Sequence, residues 1–342
     1  MDIETPPTEA RRYGLGLVNL ASPRMGTKIH SVSDDFFAEA PRMLHDTIPV
    51  FVPDKFDDNG KWMDGWESSR RRQGGHDWCI ISLGEPGVIK LVDINTAHFT
   101  GNYPPGAMVE VGYSLDGDIN KVEWHTLIEQ VNLGPDAHHL LESKYLSKVN
   151  LVRLNIFPDG GVARLRLFGD VQRDWGNQKN DIVELSALRS GGSILGYNDA
   201  HYGDVNALLS QGRGLTMGDG WETRRRREPG NDWIVVQLGT SGFVHEIEID
   251  TAHFKGNFPD KCSIQAALVE KGFDVNSAEN WKELMPRQSL SADAIHKFKK
   301  EIANDFGPVN AIRLNIYPDG GVSRLRIFGK ACLLYTSPSP RD

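Results

Sequence analysis

Cysteine is scarce in this chain: three residues, Cys79, Cys262 and Cys332, in a total of 342. An odd trio rules out a disulfide framework, and none sits in a Cys-x-x-Cys pair that would suggest a redox or zinc site. Long apolar runs are also missing. None approaches the roughly 18 residues of a membrane-spanning helix, so no membrane partner is expected. Basic charge is not in excess either, since Lys+Arg is 38 against Asp+Glu 46, a formal net charge of −8. That balance argues against nucleic acid or an anionic lipid surface as partner, because both need a sustained basic face. Met1 to Tyr13 carries Asp2, Glu4 and Glu9 and lacks the apolar centre of a secretory leader, which predicts a cytoplasmic protein. The common catalytic fingerprints are absent too: no phosphate loop, nucleophile elbow, HExxH or dinucleotide motif.

What the chain does contain is itself, twice. Asp64-Gly65-Trp66-Glu67 recurs as Asp219-Gly220-Trp221-Glu222, a shift of 155 that also maps Arg70–Arg72 onto Arg225–Arg227 and Asp77-Trp78 onto Asp232-Trp233. The same shift maps Thr96-Ala97-His98-Phe99 onto Thr251-Ala252-His253-Phe254. Upstream, Arg24–Leu44 matches Arg189–Leu209 at a shift of 165, and downstream Val149–Gly169 matches Val309–Gly329 at 160. The first copy therefore carries ten extra residues between Leu44 and Asp64, and the second carries five extra after the Thr-Ala-His-Phe segment. Such period-scale self-similarity fixes the architecture as a tandem duplication. The repeats are placed at 14–171 and 182–330, with a linker near Gln172 to Asp181.

Each copy reads as mostly strand. Trp78–Leu83 and Val88–Ala97 are β-branched runs separated by the turn signal Glu85-Pro86-Gly87, and Thr240-Ser241-Gly242 separates their second-copy counterparts. Val152–Ile156 and Arg164–Phe168 alternate apolar and polar around Pro158-Asp159-Gly160-Gly161, which predicts a hairpin. Short capped helices are expected at Ser33–Leu44 and Ser291–Ile302. Seven or eight short strands per copy favour an all-β fold, a tandem antiparallel β-sandwich. The closing Arg-Leu-Arg-Leu-Phe-Gly segments resemble those of galactose-binding-like jelly rolls, a likeness of fold that says little about function.

Candidate chemistry centres on repeated polar residues. His98 and His253 end strands where loops leave the sandwich rim, and imidazole suits proton transfer. A purely structural role in holding the following turn is the competing reading. A looser histidine pair is His139 with His296. The arginine runs beside Glu67 and Glu222 could fork a small carboxylate, or form ion pairs with Glu67, Asp77 and their partners. Trp66, Trp78, Trp221 and Trp233 read as core. Cys79 aligns with Ile234 and Cys262 with Ala107, so both thiols read as buried small hydrophobes. A mixed metal site from His98 or His253 with Asp64, Glu67 or Asp77 lacks the tight spacing of a specific motif, and a divalent metal stays open as a cofactor.

Together these segments resemble the allantoicase family. The residues that carry the likeness are Asp64-Gly-Trp-Glu-Ser-Ser-Arg-Arg-Arg with Asp77-Trp78, and Thr96-Ala-His-Phe-Thr-Gly-Asn-Tyr-Pro. Their partners are Gly218-Asp-Gly-Trp-Glu-Thr-Arg-Arg-Arg-Arg and Thr251-Ala-His-Phe-Lys-Gly-Asn-Phe-Pro. Arg153–Val162, its copy Arg313–Val322, and the opening Asn19-Leu-Ala-Ser-Pro-Arg-Met-Gly complete the pattern. The likeness spans about Leu15 to Gly329. It implies hydrolysis of allantoate to (S)-ureidoglycolate and urea on two jelly-roll repeats, in a homo-oligomer. It also implies a small anionic substrate held by Arg71, Arg72, Arg226 and Arg227 at its carboxylate, and by Asn102, Asn257, Asp77 and Asp232 at its ureido groups. His98, His253, Glu67 and Glu222 are the candidates for proton transfer. The active copy could be either one, both, or a site built between them. A non-catalytic tandem ligand-binding module is the competing class. The final segment, 331–342, resembles translated adaptor or vector sequence. Disorder is expected from about Leu333, and a lost native terminus would leave a peroxisomal address open beside the cytoplasmic one.

Overall fold

The computed structural model describes residues 14–178, 180–270 and 272–332. The segment from Leu333, where disorder is expected, lies outside the described residues. The chain divides into two compact units, Met1–Gln172 and Arg173–Asp342. Among the described residues the helical segments are all single 3-10 turns of three to five residues, and strand dominates.

One long strand organises each unit. Asp77–Asn95 runs for 19 residues, and its two halves keep different neighbours. Asp77–Ser82 pairs with Val149–Phe157 on one side and Lys28–Val32 on the other. Gly87–Asn95 pairs with Arg164–Val171, and Leu91–Asn95 within it pairs with His138–Glu142 on its other edge. The strand thus passes from one layer of a sandwich to the other. The first layer continues from Val149–Phe157 through Gly106–Gly112 to His125–Asn132. The second is closed by Val18–Asn19 against the Arg164–Val171 strand. The second unit repeats this plan around Asp232–Asp250.

Glu85-Pro86-Gly87 therefore does not end a strand; it marks the crossing between layers. Thr240-Ser241-Gly242 does the same in the second unit. Gly84 sits in this crossing, where a Cβ would lie 2.0 Å from the Met25 carbonyl oxygen, so only glycine lets the strand pass. The expected hairpin is also corrected. Val149–Phe157 and Arg164–Val171 do not pair with each other; each pairs with a different half of the long strand. The turn between them spans the layers. The two expected helices are absent as well. Ser33–Leu44 forms only a 3-10 turn at Ala40–Leu44, and Ser291–Ile302 contains a strand, Ile295–Phe298.

Between the layers lie Ile81, Val92, Ile94, Val109, Leu154, Ile156, Leu165 and Leu167, all fully buried. Each contributes roughly 1.5–3 kcal/mol by leaving water, which is what makes the alternating pattern decisive for register. Ile234, Ile249, Ile264, Leu314, Ile316, Leu325 and Ile327 do the same in the second unit. Trp66 and Trp221 are wholly buried, each donating its indole N–H to a carbonyl, Asp34 at 2.9 Å and Asp199 at 2.8 Å. Cys79 and Cys262 are buried free thiols, and burial pushes both up, Cys262 to about 12.

Candidate functional site

Three segments meet at one end of the first unit. The first is Trp66–Glu67, a two-residue strand paired with Gly161–Val162. The second is the loop that follows the long strand, from Thr96 to Pro104. The third is the stretch between Leu44 and Asp64, where the first copy has its extra residues.

Close backbone approach brings the first two together. The Gly161 N–H donates to the Asn102 carbonyl at 2.7 Å, and a Cβ on Gly161 would fall 1.9 Å from the buried ring of Phe99. The Pro158-Asp159-Gly160-Gly161 turn can therefore lie flat on the loop, which sets the Asn102 amide 2.7 Å from Glu67 Oε1. In the second unit Asn257 donates to Glu222 Oε1 in the same way.

The third segment is held by a buried arginine. Arg164 has no solvent exposure; it donates to Asp64 Oδ2 at 2.8 Å and to the carbonyls of Thr47, Asp64 and Ala163. Asp64 Oδ2 also accepts the Val50 N–H at 2.9 Å. This clamp fixes the loop from which the Pro49 carbonyl meets His98 Nε2 at 3.2 Å. Arg324 and Asp219 form the corresponding pair at 2.8 Å in the second unit.

His98 has φ +66° and His253 φ +70°, a left-handed conformation that costs a non-glycine residue on the order of 1–3 kcal/mol. Both are tied at two points. The His98 N–H donates to Asp136 Oδ1 at 2.8 Å, and the His253 N–H to Asp293 Oδ1 at 2.9 Å. Their Nε2 atoms face the carbonyls of Pro49 and Gly214. A carbonyl only accepts, so Nε2 carries a proton, and in the neutral ring Nδ1 presents a lone pair. The histidine reading as holders of a turn is thus correct for the main chain, while Nδ1 has no partner among the described residues. His139 and His296 are different: their Nδ1 atoms donate to the Ile94 and Ile249 carbonyls while Nε2 accepts the N–H of Gly134 and Ser291. They clamp the turns that present Asp136 and Asp293.

The resulting cleft in the first unit has a volume of about 560 Å³ and is lined by Phe37, Phe51, Lys61, Met63, Glu67, His98, Thr100, Gly101, Asn102 and Asp136. Burial pushes the Glu67 carboxyl above the usual range, against the opposing pull of the Asn102 hydrogen bond and the Arg70 charge. Glu222 is raised for the same reason, opposed by Asn257 and His201.

Glu67, His98 and Asn102 thus come together, as the sequence suggests, and Asn102 spends its amide on Glu67. The arginines do not join them. Arg71 Nε lies 3.0 Å from Asp77 Oδ1, and Arg226 Nη1 lies 2.7 Å from Asp232 Oδ1. Asp77 and Asp232 are 1% and 2% exposed, so they neutralise their arginines from inside the fold. Arg72 and Arg227 are exposed and do not line the first unit's cleft. Asp64, considered above as a metal ligand, is taken by Arg164, and among the described residues no group of three or more His, Cys, Asp or Glu could hold a metal ion. Sequence reasoning missed Lys61 and Asp136. For Asp136 a signal existed, since Leu133–His139 recurs as Leu290–His296 with the aspartate kept; Lys61 lies in the unrepeated insertion and had none.

A model of the allantoicase repeat matches residues 18–172 and again 183–332. The chain belongs to the allantoicase family. It is 49% identical over 328 residues to "Probable allantoicase 1" of Burkholderia mallei, covering 94% of this chain and 96% of that protein. It is 49% identical over 315 residues to "Probable allantoicase" of Acinetobacter baumannii, covering 91% and 93%. The crystal structure of allantoicase from Saccharomyces cerevisiae superimposes with a TM-score of 0.80 at 32% identity, over 96% of this chain and 99% of that one. Among the described residues no helix is long and apolar enough to cross a membrane. The duplicated sandwich is thus the allantoicase architecture, with the cleft at Glu67 and His98 built from segments that the family's repeat includes.

Proposed function

We propose that this chain hydrolyses allantoate to (S)-ureidoglycolate and urea, acting on a non-peptide C–N bond. Membership of the allantoicase family over both repeats carries this reading. The reaction breaks the bond from the central carbon to one ureido nitrogen and forms a bond from that carbon to a water oxygen. One water proton goes to a base, and one proton is delivered to the departing nitrogen, so that urea leaves neutral.

The first unit's cleft supplies groups for both transfers. Glu67, raised by burial, holds a proton at higher pH than an exposed carboxyl and suits the acid. Asn102 donates to Oε1, which leaves Oε2 to carry that proton toward the substrate. His98, with Nε2–H committed to the Pro49 carbonyl, offers the Nδ1 lone pair as base to water. Asp136 supplies an acceptor for ureido N–H groups. Glu222, His253 and Asn257 share the geometry in the second unit, and their part is separated below. Arg71, Arg226, Asp77 and Asp232 stay in this proposal as supports of the cleft's frame rather than direct contacts.

The test is urea release by the purified protein, with and without a chelator. One urea and one ureidoglycolate per allantoate are expected. Binding of allantoate without urea release would return the chain to the ligand-binding class. We place the protein in the cytoplasm, which the buried free thiols support, and expect a homo-oligomer, which light scattering on the purified protein tests.

A further inference from the structure

We infer that Lys61 receives the substrate carboxylate and thereby confines productive allantoate binding to the first repeat. This rests on the functional reading above and names the residue and repeat that read does not.

Allantoate is an anion, and its carboxylate is one bond from the carbon that reacts. A cation that holds the carboxylate equally in the ground and transition states retains the substrate beside Glu67 and His98, so its loss falls on KM rather than on kcat. The sequence points to arginines for this task, but Arg71 is spent on Asp77 and the Gly74 carbonyl, and Arg226 on Asp232. Arg70 acts on Glu67 by its charge without lining the cleft. Among the residues that line it, Lys61 is the one lysine or arginine. Its Nζ lies 4.3 Å from the centre of the Phe51 ring, and among the described residues it makes no ion pair. The ring orients the ammonium without neutralising it. Of the cleft's two carboxyls, Glu67 Oε1 accepts from Asn102 and Asp136 Oδ1 from the His98 N–H, and among the described residues neither forms an ion pair with Lys61.

The second repeat lacks this feature. Its loop is ten residues shorter, and the basic residue there, Arg213, lies 3.3 Å from Asp250 Oδ2 and 3.5 Å from Asp293 Oδ1. These acids stand where the first repeat has Asn95 and Asp136. One repeat leaves its loop cation free for a ligand, and the other pairs it with two carboxylates of the fold.

Steady-state kinetics and calorimetric binding test this on wild type, Lys61→Met, Lys61→Arg and Arg213→Met, each with allantoate and with its uncharged methyl ester. A charge-assisted hydrogen bond of the usual strength predicts that Lys61→Met raises KM and Kd for allantoate by about 10- to 100-fold. Its kcat should stay within about threefold and its kcat/KM for the ester unchanged. Lys61→Arg should recover most of the loss, and Arg213→Met should bind allantoate as wild type does. Equal losses on allantoate and ester, an unchanged KM in Lys61→Met, or the same KM rise in Arg213→Met would overturn the assignment. Should wild type release no urea, the functional reading fails by itself, and the Lys61 inference still stands or falls on whether Lys61→Met selectively weakens allantoate binding.

Discussion

The two repeats share a frame and differ in what they leave unneutralised. Both keep the buried arginine clamp, the left-handed histidine, the carboxyl–asparagine pair and the buried tryptophan. On the outer face of the sheet, however, the first unit runs an unbroken chain. His76 meets Asn155, Asn155 donates to Glu110 at 2.8 Å, and Arg153 donates to the same carboxylate at 2.7 Å. In the second unit the glutamate is Gln265. Asn315 still donates to it, but Arg313 keeps a buried Nε without a partner and rests over the Trp233 ring at 4.3 Å. Beside Glu67 and Glu222 the pattern is the reverse: among the described residues the first unit's loop cation, Lys61, makes no ion pair, and the second unit's, Arg213, is paired. Duplication preserves what the fold needs, while charge balance drifts wherever a site is free to specialise.

The sharpest way to break this comparison is to remove the same carboxyl from each unit. Glu67→Gln should lower kcat by about 1000-fold, the usual range for loss of a general acid. Glu222→Gln should stay within about threefold if chemistry is confined to the first cleft. Urea assays on the two variants decide, and equal losses would make both units active. The pH profile carries a second sign. Burial raises the Glu67 carboxyl, so its protonated form persists above the ordinary carboxylate range. As the acid in the reaction, it should impose a fall in kcat/KM as pH rises through that raised value, and Glu67→Gln should lose that limb. A limb that persists in the variant belongs to another group.

Next in size is the clamp. Arg164→Met strands the Asp64 carboxyl in the interior, and breaking a buried pair by removing one partner costs about 3–5 kcal/mol. Arg324→Met should cost a similar amount in the second unit. The two differ in function, since Arg164 also fixes the loop that carries Pro49, Phe51 and Lys61. Denaturant titration should show both losses, whereas the allantoate KM of folded protein should rise only in Arg164→Met.

How much of this was legible before the structure depended on repetition. The doubled Thr-Ala-His-Phe, Glu67/Glu222 and Asn102/Asn257 positions were visible because both units need them to join the same loops. The alternation of apolar residues gave the sandwich, since side chains facing the interior must be apolar whatever the turn chemistry. The long strand was not visible: Pro86 and Gly87 look like a stop, yet there the chain exchanges one layer's partners for the other's, where lost ladder hydrogen bonds matter less. For the arginine runs the sequence left two readings open, a carboxylate fork or ion pairs with Asp77 and its partner; Arg71 and Arg226 form the ion pairs, a choice set by the burial of Asp77 and Asp232, which spacing does not reveal. Lys61 was invisible since its segment has no second copy.

The smallest expected effect lies on the sheet faces. Gln265→Glu would give Arg313 the carboxylate that Arg153 already has. Burial alone would raise the Glu110 carboxyl, but the hydrogen bonds from Arg153 and Asn155 outweigh it and hold the carboxyl below its ordinary range. A depressed carboxyl stabilises the fold above its unfolded pKa, and that contribution is lost as pH falls through the folded one. Gln265→Glu should therefore gain about 0.5–1 kcal/mol at pH 7, a modest sum because the site is partly open to solvent. The gain should vanish in acid below the carboxylate range. Glu110→Gln should show the mirror image, a loss at pH 7 that shrinks in acid. Thermal unfolding at both pH values measures the pair. Were Gln265→Glu neutral or destabilising at pH 7, stacking on Trp233 would already satisfy Arg313, and the missing carboxylate would carry no stability consequence.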